Sequence, residues 1–263
     1  MKFSTIDYQV QDGVATILLN RPESFNSVNS LMSQELPLVW DNFNNDDSAI
    51  VAIISGSGDK SFCTGADLAD LPDMDNEFGH ATIESIKWTS LQNQIWKPVI
   101  CAVNGMCCGG GLHFVADSDI VIASEHTTFF DTHVKVGLVA GLESVGLSRK
   151  IPLESVLRMS LVGGGERMSS DQALNIGLIS EKVPHDKLLA RANELADMIK
   201  VHSPAALSRT KKAIWNSKEV GLSDALNFAW SSIMDQNKHS DFAEGTAAFL
   251  EKRTPKWKPY SDS

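Results

Sequence analysis

The sequence predicts an α/β fold, because short apolar runs alternate with segments of helical character through the first half of the chain. The runs at 14–19, 50–54 and 99–103 are short and rich in β-branched residues, which favours buried strands. A segment that opens near Ser30 is typical of a helix between the first two runs. The chain has 263 residues, of which 43% are hydrophobic, and this is enough to bury a large core.

The second half of the chain is predicted to be mainly helical, with helices of ordinary globular length. They are predicted over residues 154–161, 170–177, 187–202, 205–218, 223–236 and 243–252. No internal repeat, low-complexity tract or Pro/Gly/Ser linker divides the sequence. We therefore expect one main domain with a helical appendage.

Composition excludes several classes of partner. The net charge of -10 argues against nucleic acid or an anionic membrane surface. No apolar run reaches the ~20 residues of a membrane span, and residues 1–10 lack a signal-peptide core, so the sequence predicts a cytoplasmic protein. The four cysteines have no disulfide-framework spacing and are interpreted as reduced packing residues. No spacing of His, Cys or carboxylate residues predicts a metal site.

The segment 103–123 carries the clearest sign of function. The apolar strand 99–103 is broken by Asn104-Gly105, and Gly109-Gly110-Gly111 then open an amphipathic helix. Three glycines in succession leave peptide N–H groups uncovered at a helix start, where an oxyanion or a phosphate can approach the backbone.

A second turn of the same kind lies upstream. The strand 50–56 is followed by the segment 62–68, which contains Gly65-Ala66-Asp67 and is predicted to lead into a helix. Two such turns can bring two N–H donors together. The alternative is that both are ordinary tight turns, in which glycine is needed only for close packing.

These turns, in this order, resemble those of the crotonase (enoyl-CoA hydratase/isomerase) superfamily. The resemblance covers about residues 12–257 and includes the motifs NRPE (20–23), KPV (97–99), VNG (103–105), ALNIGLISEKV (173–183) and FLEKR (249–253). It implies a spiral of ββα units, the ClpP-like fold, and chemistry on an acyl-CoA thioester such as those of fatty acid metabolism. The oxyanion hole of the family corresponds to the N–H groups of Ala66 and Gly110, and coenzyme A enters as part of the substrate, with no separate cofactor.

The resemblance also implies how the chain is organised. The spiral core with the acyl-CoA site corresponds to residues 1–200, and a C-terminal helical region that covers the site and forms a homotrimer, or a dimer of trimers, corresponds to 201–263. Lys252 and Phe249 match family residues that contact coenzyme A. Lys60 and Asp67 are further candidates, and each lysine could equally be a solvated surface residue.

The chain departs from the family where protons are transferred. The family's two catalytic glutamates align with His113 and His133, with Asp131 as the alternative counterpart of the second. Because histidine can be an acid or a base near neutral pH, we predict a His113/His133 acid–base pair. Glu143 is a candidate relocated base. The alternatives are that His113 is a buried structural ring and that Glu143 only stabilises a helix N-terminus.

Three functions are compatible with these features. The first is a hydratase or double-bond isomerase acting on an unsaturated acyl-CoA, and this is the function we favour from the sequence. The second is hydrolysis of a thioester or C–C bond in the same oxyanion hole. The third is a non-catalytic acyl-CoA binding protein that has lost its acid and base.

Overall fold

The computed structural model of this chain describes residues 2–73 and 82–260, and two β-sheets flanked by helices form its core. The strands are β1 (Ile6–Gln11), β2 (Val14–Leu19), β3 (Val51–Gly56), β4 (Ser61–Cys63), β5 (Val99–Val103), β6 (Met106–Cys108), β7 (Ile120–Ser124), β8 (Thr128–Phe130), β9 (Met168–Ser169) and β10 (Glu181–Val183). The α-helices are α1 (Ser30–Asn45), α2 (Leu112–Asp117), α3 (Leu142–Ser148), α4 (Leu153–Val162), α5 (Ser170–Asn175), α6 (Leu188–Lys200), α7 (Pro204–Asn216), α8 (Leu222–Lys238) and α9 (Ser240–Glu251). Short 3₁₀ helices span Pro22–Ser24, Ile83–Ser85, Gly109–Gly111, Val134–Val136 and His185–Lys187.

The strands follow one another as a spiral. The larger sheet has the order β1-β2-β3-β5-β7-β10, and the smaller has the order β4-β6-β8-β9. Each of β3, β5 and β7 lies in the larger sheet, and the strand that follows it in the chain lies in the smaller sheet. Neighbours are parallel except in the pairs β1–β2 and β8–β9. The predicted α/β spiral is therefore confirmed.

The apolar character of the central strands follows from burial on both faces. All six residues of β3 are buried. Ala52 and Ile54 belong to the main core with α1, whereas Val51 and Ile53 belong to a second cluster under α6. Successive side chains alternate between faces, and a strand covered on both sides is apolar throughout.

Most predicted elements coincide with observed ones, but one does not. The strands predicted at 14–19 and 99–103 have those bounds, and the predicted C-terminal helices match α4 to α9 within a few residues. The helix predicted after the Gly65-Ala66-Asp67 turn is wrong over the described residues up to Asp73, which form turns and irregular backbone. The reason is that Ala66 forms a parallel β-bridge with Val28, which holds the backbone extended.

The C-terminal segment extends the fold with a helical layer. Helix α7 packs on α8, and α8 packs on α9. Their large apolar side chains include several that are exposed, namely Leu222, Leu226, Trp230, Ile233, Phe249 and Leu250. Within the described ranges, every helix is too short or too polar to cross a membrane.

Candidate active site

The two glycine turns predicted from the sequence lie against each other. A Cβ atom built on Gly65 would be 2.6 Å from the backbone nitrogen of Gly110, and one built on Gly110 would be 3.5 Å from the backbone nitrogen of Ala66. A Cβ on Gly111 would be 2.3 Å from the carbonyl oxygen of Cys63. Close packing therefore does require glycine here, as the alternative interpretation held. This packing also brings the backbone nitrogens of Ala66 and Gly110 near each other.

The N–H of Ala66 faces away from its strand partner. In the bridge with Val28, the Val28 N–H donates to the Gly65 carbonyl at 2.8 Å, and the Asp67 N–H donates to the Val28 carbonyl at 2.9 Å. A parallel bridge uses only the residues on either side of the bridged one, so the peptide N–H of Ala66 is left on the opposite side. Over residues 2–73 and 82–260, no backbone–backbone hydrogen bond of the turns and loops involves the N–H of Ala66 or Gly110.

Gly65→Ala is expected to lower the free energy of unfolding by about 1–3 kcal/mol and to lower catalytic activity as well, because Gly65 has φ +86° and its new Cβ would push Gly110 away. Gly177→Ala is the matched control, since Gly177 has φ +77° and nothing within 4 Å of its built Cβ. Chemical denaturation and turnover should be measured for both. A Gly65→Ala variant no worse than the control would show that the contact between the turns is unimportant.

His113 occupies the predicted place beside the glycine turn. It lies on α2, three residues after Gly110, and its residue surface is only 6% exposed. Its ring meets the indole of Trp88 edge-on, with centroids 5.8 Å apart. Nδ1 of His113 is 3.3 Å from Nε2 of Gln92, and Nε2 of His113 is 3.7 Å from Oε1 of Glu143. The ring is thus buried and hydrogen-bonded, and it also contacts a second titratable group.

His133 approaches the same carboxylate from the other side. Its Nε2 is 3.4 Å from Oε1 of Glu143, and its Nδ1 is 2.9 Å from Oδ2 of Asp131. A Cβ built on Gly109 would be 3.7 Å from Cε1 of His133, so this ring lies against the glycine turn. His113 and His133 therefore share one site, and Glu143 lies between them.

Asp131 fixes the His133 ring. Its Oδ1 accepts the backbone N–H of His133 at 2.8 Å, and its Oδ2 accepts Nδ1–H of the same residue. This side-chain hydrogen bond is the main reason that the pKa of His133 is raised above its ordinary value, and the negative charge of Glu143 adds to it, while burial opposes it. Asp131 is fully buried, and the His133 side chain keeps 20% of its surface exposed. The structure therefore presents His133 as a partly accessible ring that favours the imidazolium form.

Glu143 is positioned by the first turn of α3 and is buried, with 5% of its surface exposed. A buried carboxylate must have polar or charged partners, and the two rings supply them. The sequence indicated Glu143 only as one of several candidates, because its partners lie 30 and 10 residues away along the chain.

The residues predicted to contact coenzyme A lie apart from this cluster. Asp67 pairs with Arg21 at 2.9 Å, and Lys60 is exposed immediately before β4. Phe249 is exposed near the end of α9, and Lys252 is exposed just after it. No hydrogen bond or ion pair within 2–73 and 82–260 joins the four to the cluster. Their predicted contact with coenzyme A stays a prediction.

Sequence reasoning missed Gln92 and Trp88, which line the His113 side of the site. Both lie in a segment without α-helix or strand, between the short 3₁₀ helix Ile83–Ser85 and β5. Only one signal was present in the sequence, namely that this segment separates the two glycine turns.

Comparison with known proteins agrees with the fold and identifies the family. A family model for enoyl-CoA hydratase/isomerase matches residues 9–260. The (E)-benzylidenesuccinyl-CoA hydratase of Thauera aromatica is 33% identical over 254 residues, covering 95% of this chain and 97% of that protein. The mevalonyl-coenzyme A hydratase of Aspergillus fumigatus is 34% identical over 257 residues, covering 94% and 92% of the two chains.

Solved structures agree as well. The crystal structure of an enoyl-CoA hydratase/isomerase from Mycobacterium paratuberculosis superposes with a TM-score of 0.90 at 41% identity, covering 98% of this chain and 99% of that one. An enoyl-CoA hydratase from Mycobacterium tuberculosis superposes with a TM-score of 0.86 at 27% identity, covering 97% and 98%. This chain belongs to the enoyl-CoA hydratase/isomerase family, the crotonase superfamily, and is an acyl-CoA-processing enzyme of the hydratase/isomerase type.

Proposed function

We propose that this enzyme catalyses the reversible addition of water to an α,β-unsaturated acyl-CoA thioester. The observation that carries the proposal is the position of the Glu143 carboxylate, 3.4 Å from Nε2 of His133 and 3.7 Å from Nε2 of His113, beside the paired glycine turns. Hydration needs a base for water, an acid for the α-carbon and a place for the negative charge of the thioester oxygen. This site can supply all three.

The N–H groups of Ala66 and Gly110 would receive the thioester oxygen. Attack on C3 moves electrons onto this oxygen, and two fixed N–H donors stabilise the resulting enolate without rearranging solvent. The loss of one such donor typically costs ~10²–10³ in kcat. The backbone at 109–111 carries no side chains of its own that would block the approach of the substrate.

Glu143 and His133 would move the protons. The Glu143 carboxylate removes one proton from water as the oxygen of that water bonds to C3, and the enolate forms at the thioester. The His133 imidazolium then donates its Nε2 proton to C2, and the enolate electrons form the new C–H bond. Transfer of the proton from Glu143 to Nε2 of His133, across 3.4 Å, restores both groups, so that one water has been added.

This assignment modifies the acid–base pair predicted from the sequence. The sequence predicted His113 and His133 as the pair without assigning the two roles; here His133 is the acid, and Glu143 is the base in place of a second histidine. The preference for Glu143 rests on its position between the rings and on its carboxylate, which can take a proton from water while His133 stays charged.

The proposal extends to the binding of coenzyme A and to the association of subunits. Phe249 and Lys252 are exposed at the end of α9 and just after it, and Phe249 has 84% of its surface uncovered. We propose that they contact the nucleotide of a substrate bound in a neighbouring subunit of a homotrimer, alone or as a dimer of trimers. The exposed apolar residues of α8 and α9 would then be covered by that neighbour.

Turnover in H₂¹⁸O tests the reaction directly. The purified enzyme should be given saturated, α,β-unsaturated and β,γ-unsaturated acyl-CoAs, with product mass, site of ¹⁸O and free thiol measured. Hydration is expected to place one ¹⁸O on C3 of an α,β-unsaturated substrate, with the thioester intact. An isobaric product would indicate isomerisation, and ¹⁸O in a carboxylate would indicate hydrolysis, with a free thiol as well when the thioester is the bond cleaved. Binding without turnover across the panel would indicate a non-catalytic acyl-CoA binding protein.

A further inference from the structure

The amide of Gln92 has a fixed orientation. Its Oε1 accepts the backbone N–H of Trp88 at 2.8 Å and the backbone N–H of Thr89 at 3.1 Å. An amide nitrogen in that place would face two donors, so the oxygen must lie there. The nitrogen end of the amide is therefore the end that faces His113.

Further hydrogen bonds fix the segment that carries Gln92. Oγ1 of Thr89 accepts the backbone N–H of Gln92 at 3.3 Å and donates to Oδ2 of Asp117 at 2.6 Å. Thr89 and Trp88 are almost fully buried, and the indole N–H of Trp88 donates to Oγ of Ser33. Rotating the Gln92 amide by 180° would break the hydrogen bonds that its Oε1 accepts from the backbone N–H groups of Trp88 and Thr89.

The orientation of this amide decides where His113 carries its proton. Nε2 of Gln92 is a donor only, and it lies 3.3 Å from Nδ1 of His113. Nδ1 must therefore accept, so the ring proton is on Nε2. That Nε2–H faces Oε1 of Glu143. A proton on Nδ1 would place two donors against each other in a buried site, at a cost comparable to that of an unsatisfied polar group.

The two histidines are consequently held in opposite forms. His133 meets a carboxylate at Nδ1 and must donate there, which leaves its Nε2 able to gain or lose a proton. His113 meets an amide N–H at Nδ1 and must accept there, which leaves its Nε2 as a donor. The charged or titratable groups that face His113 are Glu143 on α3 and Asp117 on its own helix, with His133 beyond Glu143.

We infer that Gln92 is a positioning residue that keeps His113 neutral with its proton on Nε2, so that His113 orients the Glu143 carboxylate and does not itself exchange protons with the substrate. This inference rests on the proposed function, since it assigns His113 a role in the same site. It explains how two histidines and one carboxylate can lie together in a buried site without two adjacent positive charges.

The test is ¹⁵N NMR of the histidine ring nitrogens, with His113 assigned by comparison with His113→Gln. Near neutral pH, His113 of the wild-type enzyme is expected to show a neutral ring protonated at Nε2. In Gln92→Glu, one carboxylate oxygen can still accept the Trp88 and Thr89 N–H groups, while the other now accepts from Nδ1. His113 should then become protonated at Nδ1. Because Glu143 would be misplaced but not removed, kcat should fall by between about 10-fold and 10²-fold.

Gln34→Glu, on the exposed face of α1, is the matched control and should leave both the spectrum and kcat unchanged. Gln92→Met removes the donor without adding a charge, and it reports on His113 if Gln92→Glu does not fold. A wild-type His113 protonated at Nδ1, or an unchanged ring in both Gln92 variants, would overturn the inference. The spectra need no turnover. If the enzyme hydrates no substrate but the Nε2–H form is seen, the proposed function fails and the role of Gln92 in holding the ring remains.

Discussion

Glu143→Gln is expected to lower kcat for hydration by about 10²–10⁴-fold, the usual contribution of a general base. The amide has the same shape as the carboxylate, and its Oε1 can keep the 3.7 Å contact with Nε2 of His113. It cannot take a proton from water. The affinity for the acyl-CoA should change little, because the proposed contacts to the thioester are backbone N–H groups and not this side chain.

The control for this variant is Glu154→Gln, which removes a carboxylate from the exposed surface of α4. It should have the kcat of the wild-type enzyme. Thermal unfolding of both variants separates a chemical effect from loss of structure. Hydration at the wild-type rate by a folded Glu143→Gln enzyme would remove Glu143 from the mechanism and leave the His113/His133 pair predicted from the sequence as the acid and base.

The parts of the site that the sequence predicts are those set by neighbouring residues. A buried strand followed by consecutive glycines predicts an uncovered backbone turn, because local sterics alone dictate it. Gly65 and Gly110 were identified in this way. His113 was identified through the resemblance to the family, and its position beside the turn follows because residues three apart share a helix face. The central strands were predicted equally well, because burial on both faces makes them apolar along their whole length.

The remaining parts depend on contacts between distant residues. The extended backbone at Ala66 comes from Val28, 38 residues away, and this contact replaces the helix that the local pattern favoured. Glu143 acquires its partners only when α3 packs against α2. Gln92 is 21 residues from His113 and lies in irregular backbone, whose path no periodic pattern predicts.

The His133 ring depends on one buried carboxylate, and Asp131→Asn is therefore expected to change both rate and pH dependence. If the side-chain oxygen of the new Asn continues to accept the hydrogen bond from the backbone N–H of His133, the NH₂ group of the Asn faces Nδ1 of His133. The ring must then carry its proton on Nε2 and loses its carboxylate partner. A wrong tautomer at an aspartate-held histidine costs up to about 10⁴ in kcat, and we expect a loss of about 10²–10⁴-fold near pH 8.

The sign of the pH effect follows from the raised pKa of His133. The proposed acid is the imidazolium, which is the form present at lower pH, so kcat/KM should fall as pH rises through the pKa of His133, above the ordinary value of 6.5. Removing the Asp131 charge removes the main cause of the shift. The fall in kcat/KM should then occur at lower pH, and the deficit relative to wild type should shrink as the medium becomes more acidic.

The loss of stability should have the opposite pH dependence to the loss of activity. Because the pKa of His133 is raised in the folded state, the Asp131–His133 interaction contributes fully to stability below the pKa of the unfolded histidine, and the contribution is lost as pH rises through the folded-state pKa. Asp131→Asn should therefore destabilise the protein more at pH 6 than at pH 9, as measured by denaturant unfolding. Asp224→Asn, exposed on α8, is the control for removing one negative charge. The pH at which kcat/KM falls should therefore move in a folded Asp131→Asn enzyme. If it stays in place, His133 is not the acid, because the hydrogen bond from Asp131 is the main cause of the raised pKa of His133.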